Sequence, residues 1–188
     1  MNININFTDF PVLETERITL RALNQEDVKA IFGLRTNKSV NTFIKRDVLK
    51  NLSEARAFID TTSNLVIENK GIFWVLQSKN NNELMGTIGL RNFEVAENYA
   101  EIGYDLHPNF QERGFMSEAF QKVLEFASQE MNLKTIEAFT HKNNNASAAL
   151  LKKYNFKLQL ERKEEDFEDN IIYKLIVSEH ENSPTLKL

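Results

Sequence analysis

Cysteine is absent from the 188 residues. That excludes disulfides, thiolate metal sites and a cysteine nucleophile, so group transfer through an acyl-cysteine is closed. Long apolar runs are missing too. No stretch approaches the roughly 20 residues that span a bilayer. The opening Met1-Asn2-Ile3-Asn4-Ile5-Asn6 has no basic n-region and no continuous apolar run, so no secretory signal is expected and the cytoplasm is the default location. Positive charge is in deficit, with 23 Lys and Arg against 27 Asp and Glu and a formal net charge of −4. Such a balance is poor for general binding of nucleic acid or anionic membrane. It is compatible with a cationic acceptor such as an amine or a basic peptide tail.

What is there is enough for one domain with a core and too little for two. No internal repeat or linker divides residues 1–188; residues 1–9 and 179–188 read as loose polar tails. Strands are expected at 18–23, 72–76, 84–91, 99–106, 134–141, 156–160 and 171–177, from alternating or continuous apolar runs. Helices are expected from Asn24 to Leu34, from Glu54 to Glu68 with Ser53 as N-cap, from Phe115 to Ala127, and from Ala146 to Tyr154. Residues 36–51 read as a loop, and 164–169 as a solvated acidic turn. Gly86 and Gly89 suggest a bend or bulge. Neither opens a helix and no Gly-Lys-Ser/Thr follows, so a P-loop is rejected. About seven strands and four helices make an α/β domain, with one parallel strand pair around the third helix and mostly antiparallel pairing elsewhere.

The chain is organised around residues 99–127. Tyr99 to Leu106 alternates as a strand, and Pro108, which has no N–H, ends the pairing. Gln111-Glu112-Arg113-Gly114 then turns into a helix whose apolar positions Phe115, Ala119, Phe120, Val123 and Leu124 recur at three- and four-residue steps. A helix start offers free backbone N–H groups and partial positive charge, and so holds phosphate. Gly114 lets the backbone approach a ligand closely. A plain strand–turn–helix with a solvated Arg113 fits the spacing equally well.

Gln111-x-x-Gly114 followed by Phe115-Met116-Ser117-Glu118-Ala119 resembles the acetyl-CoA pyrophosphate loop, Arg/Gln-x-x-Gly-x-Gly/Ala, of the GCN5-related N-acetyltransferase (GNAT) superfamily. Met116 departs from the last place, and Glu112 stands where relatives often have Gly. Phe10-Pro11 and Leu13, Thr15, Arg17, Ile18, Leu20 and Arg21 resemble the opening of the branch that acetylates ribosomal-protein N-termini. Asn144-x-x-Ser147, with Asn155-Phe156 eight residues on, resembles that branch's Asn-x-x-Ser…Gly-Phe motif. The resemblance covers Phe10 to about Ile176. It implies a single-domain, mixed, mostly antiparallel sheet whose parallel pair splays at the cofactor site. It also implies acetyl-CoA as co-substrate, no metal, and a cofactor site at Tyr104, Asp105, Leu106, Gln111, Glu112, Arg113, Gly114, Phe115, Met116, Ser117, Asn144 and Ser147. On its own Asn144 reads as a helix cap; the ligand role comes with the resemblance.

The implied reaction moves acetyl to a primary amine. A base must take the amine's proton, and the leaving thiolate must gain one. Without cysteine, direct transfer is favoured over ping-pong. Many relatives carry a Tyr acid four residues before the Gly-Phe pair; Leu151 stands there, which leaves Ser147 as the alternative. Glu101 and Glu137 are the candidate bases, with His107 and His141 beside them as weaker ones. The acceptor is a protein N-terminus or a small amine such as a polyamine, amino acid or aminoglycoside. A non-catalytic acyl-CoA-binding module is the alternative from another class. Either a monomer or a homodimer is expected, with no nucleic-acid or membrane partner.

Overall fold

The computed structural model describes residues 3–164 and 167–177. One sheet runs through it: β1 (Leu13–Glu14), β2 (Ile18–Ala22), β3 (Gly71–Ser78), β4 (Leu84–Glu94), β5 (Tyr99–Leu106), β6 (Thr135–His141), β8 (Asn170–Ile176) and β7 (Lys157–Leu158), in that spatial order. Every neighbouring pair is antiparallel except β5 and β6, which are parallel. The helices are α1 (Val28–Thr36), α2 (Leu52–Ile67), α3 (Phe115–Gln129) and α4 (Asn145–Lys153).

The helices cover opposite faces. Ala100 and Ile102 of β5 share a buried cluster with Ala119, Phe120 and Val123 of α3 and Leu151 of α4. Val75 of β3 packs on the other face with Val28 and Ile31 of α1 and Ala55 and Ile59 of α2. Side chains alternate along a strand. Tyr104 therefore looks toward α3 and α4, while Glu101, Gly103 and Asp105 look toward α1 and α2. The α3 stripe buries Phe115, Met116, Ala119, Phe120, Val123 and Ala127. Each large side chain among them stabilises the fold by about 1.5–3 kcal/mol.

Between β5 and β6 the ladder runs from Tyr99–Thr135 to Glu101–Glu137 and stops. Beyond it, β5 stays on β4 as far as Leu106–Gly86, and β6 stays on β8 as far as His141–Asn170. The sheet thus parts into two wings. The expected splay is present, but its cause is not Pro108, because the gap opens at residue 102. Each strand follows its outer antiparallel partner. At Gly86 the approach of β4 to β5 is so close that a Cβ would sit 2.2 Å from the Asp105 carbonyl oxygen. Past the end of β5, the His107 N–H still donates to the Met85 carbonyl at 2.8 Å. Pro108 only opens the short 3-10 turn that follows, Pro108–Phe110.

Other expectations shift in detail. The eighth strand is β1, too short to show as an alternating run. The α2 N-cap is Asn51, whose side chain accepts the Glu54 N–H at 3.0 Å, rather than Ser53. The strand expected at 156–160 is reduced to β7. Residues 3–9 are not a loose tail: Ile3 and Phe7 are buried, and the Asn4 N–H donates to the Met131 carbonyl at 2.8 Å. The expected tail at 179–188, and Glu165 and Asp166 of the acidic turn, lie outside the described residues.

Candidate active site

The turn after β5 is built as a backbone cradle. Gln111, Glu112, Arg113 and Gly114 are all exposed, and Glu112 and Gly114 take positive φ of 59° and 81°. Gly114 is the N-cap of α3 and makes no side-chain cap. The first helical bond runs from the Glu118 N–H to the Gly114 carbonyl at 3.0 Å. The N–H groups of Phe115, Met116 and Ser117 precede it and are free to meet an anion. Side chains brace the turn. The Gln111 amide donates to the Leu106 carbonyl at 2.9 Å, and Arg113 Nη1 donates to the Asn109 carbonyl at 3.3 Å. Phe115 and Met116 are buried, so their backbone faces the turn and their side chains serve the core. The Phe115 ring carries the Arg17 guanidinium at 4.4 Å and that of Arg113 at 5.1 Å.

Ser117 links this turn to α4. Its Oγ lies 2.8 Å from Lys153 Nζ and 2.9 Å from the Tyr154 hydroxyl, which also donates to the Ser117 carbonyl at 2.6 Å. Lys153 therefore brings a cation to the start of α3 that no motif in the sequence signals. The residues present fit a diphosphate: open amides, one glycine and the cations Arg113 and Lys153, against the acid Glu112, while the nearby Arg17 and Glu118 are paired with each other.

Asn144 caps α4, its Oδ1 accepting the Ser147 N–H at 3.1 Å. The cap occupies the oxygen and leaves Nδ2 for a ligand. One turn on, Ser147 Oγ lies 2.9 Å from the Tyr104 hydroxyl. This pair joins the two wings of the sheet on the α3/α4 side. Burial pushes Tyr104 up to about 12, only partly offset by the bond to Ser147, so the phenol stays protonated at neutral pH. Leu151 is fully buried in the core. Tyr154 packs on Phe120 with ring centroids 5.1 Å apart, as a packing role requires.

On the α1/α2 side, Glu101 and Glu137 are register partners at the apex of the splay. They are not equivalent. Glu137 is buried, with one carboxylate oxygen taken by Arg162 and the other accepting the Tyr99 hydroxyl at 3.2 Å. Glu101 meets Arg91 at 3.5 Å, with 17% of its side chain open. The histidines are held as turn structure. His107 Nδ1 accepts the Asn109 N–H at 3.3 Å, and His141 Nδ1 accepts the Asn143 N–H at 3.1 Å. Those bonds place any neutral-state proton on Nε2, which leaves neither ring a free lone pair for base work.

Asp105 turns away from the cofactor side. Its carboxylate bonds Arg46 Nη1 at 2.9 Å and the Thr87 hydroxyl at 2.7 Å. Arg46 comes from the link between α1 and α2. That link and the β7–β8 turn border a pocket of ≈ 510 Å³, lined in part by Phe43, Lys45, His141, Phe167 and Asp169. Tertiary placement alone brings Arg46 to Asp105 and forms the pocket beside the end of β6, and nothing in the residue spacing marks either.

Residues 17–157 match the family model described as the acetyltransferase (GNAT) domain. The uncharacterized N-acetyltransferase YoaA of Bacillus subtilis is 34% identical over 147 residues, covering 78% of this chain and 83% of YoaA. Among solved structures, the RimL ribosomal L7/L12 alpha-N-protein acetyltransferase in complex with coenzyme A superposes with a TM-score of 0.78. It has 21% identity, over 89% of this chain and 98% of RimL. The microcin C7 self-immunity acetyltransferase MccE, in complex with acetyl-CoA and AMP, gives 0.77 and 21%, over 93% of this chain and 100% of MccE. The splayed parallel pair and the open start of α3 are thus found in a chain that belongs to the GNAT family of N-acetyltransferases.

Proposed function

We propose that this chain transfers acetyl from acetyl-CoA directly to a primary amine, with a protein N-terminus as acceptor. The observation that carries the proposal is the parting of β5 and β6 between an open helix start on one face and a pocket on the other. Acetyl-CoA supplies the activated acetyl group; the chain's residues bind, orient and move protons. The amides of Phe115 to Ser117 take the diphosphate, with Lys153 and Arg113 adding charge. Asn144 Nδ2 reaches the pantetheine arm. Where β5 leaves β6, every second peptide group of the strand loses its neighbour and can donate to the reacting carbonyl oxygen.

Glu101 serves as the base, directly or through a water, because both oxygens of Glu137 are engaged. Ser147, backed by the protonated Tyr104 hydroxyl, returns a proton to the leaving sulfur. A hydroxyl pair suits a relay better than a lone serine, whose own pKa is unsuited to donation. The protein acceptor rests on RimL, whose name gives a protein substrate. A small amine is the second reading, favoured by a pocket volume in the range of small-molecule sites.

Thiol release over a panel of N-terminal peptides and small amines tests both readings. Turnover on peptides alone supports the first, and turnover on small amines alone the second. A melting-temperature rise with acetyl-CoA but no thiol release on any amine would leave only a binding module.

A further inference from the structure

Three charged side chains meet on the α1/α2 face of β5. Arg46 pairs with Asp105, and its Nε donates to Asn41 Oδ1 at 2.8 Å. Arg35, at the end of α1, lays its guanidinium over the Phe58 ring at 3.9 Å. Among the described residues, Arg35 Nε and Arg46 Nη2 are buried with no hydrogen-bond partner. Two guanidinium groups therefore lie in the field of one carboxylate, which pairs with Arg46, in a chain whose overall charge is −4. Buried charged donors without acceptors cost free energy, and native folds rarely keep them without a reason. Burial, and then the neighbouring Arg46, bring Arg35 down to about 10, while Asp105 acts the other way. Arg35 remains charged at neutral pH.

We propose that Arg35 and Arg46 bind an oxyanion carried by the acceptor: an acidic or phosphorylated side chain close to a peptide N-terminus, or the acid group of a small amine. Arg46 keeps 14% of its side-chain surface open beside Asp105. Glu101, the base assigned above, lies on the same face of the same strand. The four residue steps from Glu101 to Asp105 span about 13 Å at the usual strand rise. A short peptide with a free carboxylate or an acidic side chain can bring its amine to one end of that length and its anion to the other. A polyamine, with charge of the opposite sign at both ends, cannot. The substrate class rests on the acetyl-transfer reading, but anion binding at the pair does not.

The test begins without turnover. The protein is saturated with CoA, which fills the diphosphate site, and titrated with inorganic phosphate or with acetate while its melting temperature is followed. The wild type is expected to melt higher with at least one of the two anions, and the more effective one identifies the group recognised. Arg35→Met removes a buried charge without leaving a carboxylate unpaired. It should melt higher than wild type and lose the anion response, whereas an arginine with only a structural role would lower the melting point when removed. Arg46→Gln combined with Asp105→Asn removes one charge of each sign, leaves the net charge of the site unchanged, and should lose the response too. In turnover, the KM of a short peptide with a free carboxylate should be at least tenfold below that of its amide, with the ratio near one in both variants. No anion response in the wild type, or a response that survives in both variants, overturns the proposal. Failure of every amine to turn over while the anion response holds would instead remove the acetyl-transfer reading and leave the anion site standing.

Discussion

Asn144 shows how one residue can satisfy two readings. Its oxygen caps α4 and its nitrogen is left for a ligand. Asn144→Ala would therefore lose the cap as well, at about 1 kcal/mol, and confuse the two roles. Asn144→Asp keeps the cap oxygen and removes the donor. The melting temperature should hold, while calorimetry shows acetyl-CoA binding weakened about tenfold, the value of one hydrogen bond. Glu112 is the converse case. Its φ of 59° is one that glycine adopts freely and glutamate does not. The sequence showed an acid where relatives carry glycine; only the backbone explains why glycine suits the place. Glu112→Gly should tighten acetyl-CoA binding two- to fivefold by removing about 0.3–1 kcal/mol of repulsion at the helix start. A weaker complex in the titration would mean that the diphosphate lies elsewhere.

At the scale of elements, the strands and helices with strong periodicity were legible almost to the residue. β5 runs from Tyr99 to Leu106 as its alternation requires, and α3 begins at Phe115. Short or tertiary features were not. β1 exists because β2 offers it a partner. The splay begins six residues before the proline that seemed to explain it, because strand divergence depends on neighbours that no local pattern reports. The role of Glu118 was likewise hidden. From the first turn of α3 it accepts the Arg17 N–H at 2.9 Å, Arg17 Nε at 2.7 Å and the Thr15 hydroxyl, tying the β1–β2 turn to the start of α3. Burial pushes its carboxyl up, but these bonds outweigh burial and hold it below its ordinary value of 4.5. A depressed carboxylate stabilises the fold above its unfolded pKa, and that contribution fades as pH falls through the folded value. Glu118→Gln should therefore cost about 1 kcal/mol at neutral pH, given its partial exposure. The gap between variant and wild-type melting curves should close as pH falls below 4.5. A gap of constant size from pH 7 to pH 3 would assign the loss to packing.

Across the whole molecule, the sheet separates two tasks. The open start of α3, Asn144 and the Tyr104–Ser147 pair lie on or beside the α3/α4 face. Glu101, Arg46 and the ≈ 510 Å³ pocket belong to the α1/α2 side. Net charge, a property of the whole chain, is compatible with a cationic acceptor, yet the local balance around Asp105 is positive, and a ligand responds to the charges within a Debye length rather than to the sum. Approach from two faces through one gap lets both substrates be bound together, and the absence of cysteine removes the commonest covalent carrier. Initial rates measured over a grid of acetyl-CoA and acceptor concentrations should give intersecting double-reciprocal lines, and the intact mass after incubation with acetyl-CoA alone should show no acetyl adduct. Parallel lines together with a labile adduct would place a covalent intermediate on another nucleophile. The two faces would then act in turn, and the gap between β5 and β6 would serve as a passage for one substrate at a time.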